Sequence, residues 1–109
     1  MTPKISIIIP CYNMGSFVDE AIQSVQQYPD DEVYEIIVVN DGSNDSITIN
    51  KLKEIEDSGI RVIHQKNKGL GNARNMGVEA AQGIYILPLD ADNKILPEYI
   101  SEGMILYSR

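Results

Sequence analysis

The sequence predicts an α/β chain built on a mainly parallel sheet of about four strands, doubly wound, with helices on both faces. Three observations predict it. Four short apolar runs recur along 109 residues, separated by stretches of helical periodicity. The runs are continuous rather than alternating, as in strands covered on both faces. Clusters of Asn, Asp, Gly and Ser follow the second and fourth runs directly, where a parallel sheet presents its strand carboxyl ends.

The first run, Ile5-Ser6-Ile7-Ile8-Ile9, is almost wholly β-branched and reads as a central strand that Pro10 ends. After the turn Cys11 to Gly15, Ser16 is expected to cap a helix, with Asp19 three residues on as an approximate capping box. Phe17, Val18, Ala21, Ile22 and Val25 form its apolar stripe, and the helix ends near Tyr28-Pro29. Asp30-Asp31-Glu32 reads as an acidic surface turn. The second strand, Tyr34 to Asn40, opens into Asp41-Gly42-Ser43-Asn44-Asp45, five strong turn and cap formers.

A second helix is expected from Ser46 to about Ser58, packing through Ile49, Leu52 and Ile55 and stopped by Gly59. Ile60 to His64 is a shorter third strand. A third helix, from about Asn72 to Gln82, carries a face of small residues, Ala73, Met76, Gly77, Ala80 and Ala81, which allows close approach to the sheet. Ile84 to Leu89 is the fourth strand, in which Pro88 removes a ladder N–H and predicts an irregularity. Pro97 suits the first position of a last helix, with Tyr99, Ile100, Ile105 and Leu106 as its contacts.

Composition narrows the function classes. Hydrophobic content of 43% and charged content of 23% are ordinary for a globular domain, so residues 1–109 read as one ordered unit. A net charge of −7 argues against nucleic acid or an anionic membrane as partner. Cys11 is the only cysteine, which excludes an internal disulfide, fits a reducing compartment and suits a small core residue. Without a signal-peptide pattern or an apolar run near the roughly 20 residues a membrane helix needs, the chain is expected to be soluble and cytoplasmic.

The fourth strand stops at Asp90-Ala91-Asp92. Strand-like spacing of two would send both carboxylates to the same side, where like charges repel unless a cation or a shared proton compensates. A hard divalent ion with oxygen ligands is the natural compensation, and a turn or helix-cap role is the alternative.

Four segments in order resemble the family 2 glycosyltransferases of the GT-A group. These are Pro10-Cys11-Tyr12-Asn13 after the first strand, Asp41-Gly42-Ser43-Asn44-Asp45 after the second, Gly69 to Gly77 with its Ala73-Arg74-Asn75 core, and Asp90-Ala91-Asp92. The resemblance spans nearly the whole chain and implies a GT-A, Rossmann-like fold. It also implies an inverting transferase, of hexosyltransferase type, that binds a UDP-sugar with Mn²⁺ or Mg²⁺. The residues it implies for nucleotide binding are Pro10, Tyr12, Asn13, Asp41, Arg74 and Asp90, with Asp92 on the metal.

The chemistry of these residue types is compatible with those roles. A carboxylate at Asp41 can accept the imide N–H of uracil, though it can equally bond the turn backbone at Gly42 or Ser43. Tyr12 can stack on a base or pack beneath its loop. The Arg74 guanidinium suits phosphate or a carboxylate, including Asp41. By resemblance, Asp90 would bond the ribose and Asp92 would ligate the ion that bridges the diphosphate. His64, a lone histidine, reads as structural.

In the family the catalytic base and the acceptor site lie in the second half of a domain about twice this length. The base is therefore expected beyond Arg109, and no residue of the sequence is nominated for it. By the same argument the chain is expected to be a donor-binding N-terminal portion, inactive by itself, with an unknown glycan, lipid or protein acceptor and with self-association through an exposed sheet edge. Three other readings remain. One is an inert nucleotide-binding fragment. Another is a sugar nucleotidyltransferase, for which the loop after the first strand lacks a cation. The last is a dinucleotide-binding oxidoreductase, whose glycine fingerprint fails where Arg74 replaces glycine.

Overall fold

The computed structural model describes residues 3–92. The helix expected from Pro97, and Arg109 beyond which the base is expected, lie outside the described residues. Within them the order is β1 (Ile5–Cys11), α1 (Gly15–Gln26), β2 (Tyr34–Asp41), α2 (Ser46–Asp57), β3 (Arg61–Gln65), α3 (Leu70–Ala80) and β4 (Tyr85–Pro88). All strand pairs are parallel and the sheet order is β3-β2-β1-β4. The order reverses direction at β1, so the crevice between β1 and β4 is the switch point at which an open α/β sheet receives ligands.

Strand alternation divides the core into two layers. Ile5, Ile7, Ile9 and Cys11 of β1 join Ile36 and Val38 of β2 beneath α1 and α2, through Val18, Ala21, Ile22, Val25, Leu52 and Ile55. Ile8, Ile37 and Val39 point the other way and meet Ala73 of α3. The small face of α3 does what its composition predicts, since a methyl added at Gly77 would collide with Ile8 of β1.

Several local expectations change. Ser16 does not cap α1; the cap position is Met14, two residues earlier, and the Gly15 N–H donates to Thr48 Oγ1 at 2.9 Å. That contact also orients α2, whose buried stripe is Thr48, Leu52 and Ile55 while Ile49 is 49% exposed. Phe17, at 50%, likewise faces outward. Helix α3 begins at Leu70 rather than Asn72, behind Gly69 in a left-handed conformation (φ 99°).

Neither proline breaks the sheet. The N–H groups of Tyr85 and Leu89 donate to the carbonyls of Lys4 and Ile8, so the alternate residue Pro88 directs its nitrogen away from β1 and costs no ladder bond among the described residues. Pro10 continues β1 in register with Val39. Its nitrogen faces the β4 side, where it can offer no donor, so the pairing with β4 ends beside it.

Candidate functional site

The loops that leave β1, β2, β3 and β4 meet at the carboxyl edge of the sheet around a cleft of about 450 Å³. Five residues singled out from the sequence line it: Pro10, Tyr12, Asp41, Asp90 and Asp92. Met14, Asn67, Gly69 and Leu70 complete much of the wall. Sequence reasoning assigns these four no part in the cleft, yet the loop after β3 has a signal. In a parallel sheet every strand's carboxyl end faces the same edge, so the 65–69 loop belongs there as surely as the other three.

Asp41, the last residue of β2, is 2% exposed. Its Oδ1 accepts the Gln65 side-chain amide and the Lys68 N–H, both at 2.8 Å, and its Oδ2 accepts the Gly69 N–H at 3.0 Å. The bonding to Gly42 and Ser43 open to a turn aspartate is thus replaced by bonding across to the β3–α3 loop. Burial by itself would push this carboxyl up. The Lys68 N–H, the Gln65 amide and the Gly69 N–H together outweigh burial and hold it below the usual carboxylate value. Asp41 is accordingly an anion held in place by three donors, at the wall of a cleft.

Asn13 does not line the cleft. In a left-handed conformation (φ 53°) it clasps the β2–α2 loop. Its Oδ1 accepts the N–H groups of Asn44 (2.9 Å) and Asp45 (3.3 Å), its Nδ2 donates to Asn44 Oδ1 (2.9 Å), and its own N–H donates to Ser43 Oγ (3.0 Å). Asp45 caps α2 through Thr48 N. Gly42, with φ 72°, lies against the loop after β3, where an added methyl would come within 2.6 Å of Asn67 N. The β1 and β3 loops are therefore both tied to the loop between them.

Arg74 does not pair with Asp41; its Nη2 donates to Asp90 Oδ1 at 2.9 Å, with both side chains a little under half exposed. Its Nε is buried and has no hydrogen-bond partner among the described residues. Asp90 and Asp92 lie beyond the end of β4, Asp92 in a turn, so strand alternation alone does not bring them together. The buried Leu89 and Ala91 anchor this segment and turn its aspartates outward to the cleft. Among the described residues no three of His, Cys, Asp and Glu gather to hold a metal by themselves. His64 stands apart on β3, its Nδ1 3.1 Å from Asn40 Nδ2 and its Nε2 3.5 Å from Glu56.

Cys11 is buried in the core layer under α1 and α2, and burial pushes its thiol up. Among the described residues no helix is long and apolar enough to cross a membrane.

Comparison with known proteins gives one consistent answer. Residues 6–105 match the sequence profile of glycosyl transferase family 2. Glycosyltransferase EpsJ of Bacillus subtilis (strain 168) is 44% identical over 105 residues, which cover 95% of this chain and 29% of that protein. Glycosyltransferase GlyG of Streptococcus pneumoniae serotype 4 is 36% identical over 107 residues, covering 96% and 34%. The chain thus spans about a third of the length of these relatives. Among solved structures, S. aureus TarS 1-349 in complex with UDP superposes with a TM-score of 0.78 at 26% identity, over 91% of this chain and 30% of that one. The mannosyltransferase PcManGT of Pyrobaculum calidifontis shares the fold, with a TM-score of 0.73 at 23% identity over 86% and 29%.

Proposed function

The chain belongs to glycosyl transferase family 2, and from that premise we propose that the whole protein transfers a sugar from a UDP-sugar to an acceptor hydroxyl, with inversion, and that residues 3–92 form its donor-binding side. The observation that carries this reading is the convergence of Pro10, Tyr12, Asp41, Asp90 and Asp92, from three separate strand ends, on one cleft. The complex of TarS with UDP, on the same fold, supports the choice of nucleotide.

In this reading Tyr12 lies along the base and Asp41 accepts its imide N–H. Asp90, oriented by Arg74, bonds the ribose. Asn13 acts at one remove, by fixing the β2–α2 loop against β1. Asp92 is a hard oxygen donor suited to Mn²⁺ or Mg²⁺, ions that commonly take one or two carboxylates and complete their shell with substrate phosphates and water. Such an ion supplies Lewis-acid stabilisation of the departing diphosphate. The chain's own part is to hold the nucleotide in one orientation. We assign no catalytic base within residues 3–92, and its place beyond Arg109 is part of the proposal.

The test is calorimetric titration of UDP into the chain with Mn²⁺ and with chelator, repeated on Asp92→Ala. Binding that needs the metal and weakens at least about tenfold in the variant supports the reading. Equal heats with and without metal, or an unchanged variant, remove Asp92 from the metal site, and no binding at all overturns the donor-binding role.

A further inference from the structure

An ionised carboxylate has about four acceptor positions, two on each oxygen. In Asp41 three of them are filled from within the protein. Gln65 Nε2 and Lys68 N both take Oδ1, Gly69 N takes Oδ2, and a single acceptor position on Oδ2 is left. Asp41 lines the cleft and Gln65 does not, so Gln65 acts on a ligand only through the carboxylate it bonds.

The other end of the Gln65 amide is informative. Its Oε1 is buried without a hydrogen-bond partner among the described residues. A buried, unpaired carbonyl is costly, and an apolar side chain of similar length would avoid that cost. What glutamine adds at this position is the donor to Asp41 Oδ1.

We infer that Gln65 sets the base specificity of the cleft, by closing Asp41 Oδ1 so that the carboxylate can accept one N–H and not two. This rests on the donor-binding reading above. Uracil offers one ring N–H on its pairing edge. Guanine offers two adjacent donors, the ring N1–H and the exocyclic amine, which a carboxylate with both oxygens open accepts side by side. Against Asp41 with Oδ1 closed, the second guanine donor is desolvated and left unpaired, a mismatch that hydrogen-bonding sites reject strongly. Gln65 is thus a positioning residue that selects uridine over guanosine diphosphates.

The experiment compares the affinities of UDP and GDP, each with Mn²⁺, for the full chain and for Gln65→Met and Gln65→Leu, with urea midpoints recorded in parallel. Both variants remove the orphaned oxygen together with the donor, so folding is expected to survive. The wild-type chain should prefer UDP by at least about tenfold, and the variants should lose about tenfold of that preference, chiefly by gaining affinity for GDP. A wild-type chain that binds both equally, or an unchanged UDP to GDP ratio in folded variants, overturns the inference while leaving the donor site intact. If neither nucleotide binds the wild-type chain, the donor-binding reading falls and this one with it. If neither variant folds, Gln65 is a folding residue and the assignment is wrong.

Discussion

Strand β2 carries a carboxylate near each end, and the two illustrate how alike in bonding and unlike in role such groups can be. Glu35, near its start, accepts the Ser6 hydroxyl at 2.5 Å and the Gln82 N–H at 2.6 Å, while Ser6 Oγ in turn accepts the Gly83 N–H. Asp41, at its finish, accepts Gln65, Lys68 and Gly69. Lys68 and Gly69 precede α3 and Gln82 follows it, so one strand grips the same helix at both ends. Only Asp41 opens onto the cleft. Glu35 accepts two donors and Asp41 three, so the number of donors does not separate the two roles. An acceptor position left over at the wall of a cleft identifies the carboxylate that can recognise a ligand as well as hold the fold.

Replacing each carboxylate in turn gives the largest expected contrast. Asp41→Ala strands three donors and should cost about 3 kcal/mol in urea unfolding and abolish UDP binding. Glu35→Ala, at the more open end, should cost about 1 kcal/mol and leave UDP affinity within about twofold. Equal losses of UDP binding in the two variants would break the distinction. Gly77→Val presses on the middle of α3 without touching either grip. Its collision with Ile8 should lower stability by about 2 kcal/mol by the same assay.

Acid titration sharpens the same point. The folded-state value of Asp41 is depressed below the ordinary 3.8, so its contribution is fully present above about that pH and is lost as pH falls through the lower folded value. Asp41→Asn should therefore show a shallower loss of stability with pH below 3.8 than the wild-type chain does. An identical slope would mean that other groups govern the acid limb. The smallest effect is expected at Asn13→Gly, which keeps the left-handed backbone but removes the side-chain clasp. UDP affinity should weaken a few-fold, with about 0.5–1 kcal/mol lost in stability. A full loss of binding would instead put the Asn13 side chain on the nucleotide.

Much of this molecule is legible in its sequence. Strands β1, β2 and β4 are built on continuous apolar runs, and the shorter, mixed β3 follows the helix stop at Gly59, so the place of each is readable to within a residue or two. The small face of α3 is equally plain. The departures have a common origin. Ser16 is a good capping residue by local preference, but the α1 N-terminus is satisfied from another helix by Thr48. Ile49 fits a helical stripe as well as Thr48 does, but α2 is turned so that Thr48 is buried with its hydroxyl on the Gly15 N–H and Ile49 is exposed. Pro88 reads as a defect until its nitrogen is seen to face away from β1. In the site, the loop after β3 is legible only as the start of the Gly69 to Gly77 segment, and the part that Asn67, Gly69 and Leu70 take in the cleft wall appears only in the folded chain.

What the sequence determined by itself is the succession of strands and helices, their parallel arrangement, and the gathering of Pro10, Tyr12, Asp41, Asp90 and Asp92 at one edge. Those follow from local periodicity and from the one-handedness of crossover connections, which leave few ways to wind such a chain. Tertiary structure alone decided the partners. Arg74 meets Asp90 across 16 residues rather than Asp41, and Gln82 meets Glu35 across 47. A hydrogen bond is made or lost over a few tenths of an ångström, and such distances between remote segments are set by how the whole sheet and its helices pack.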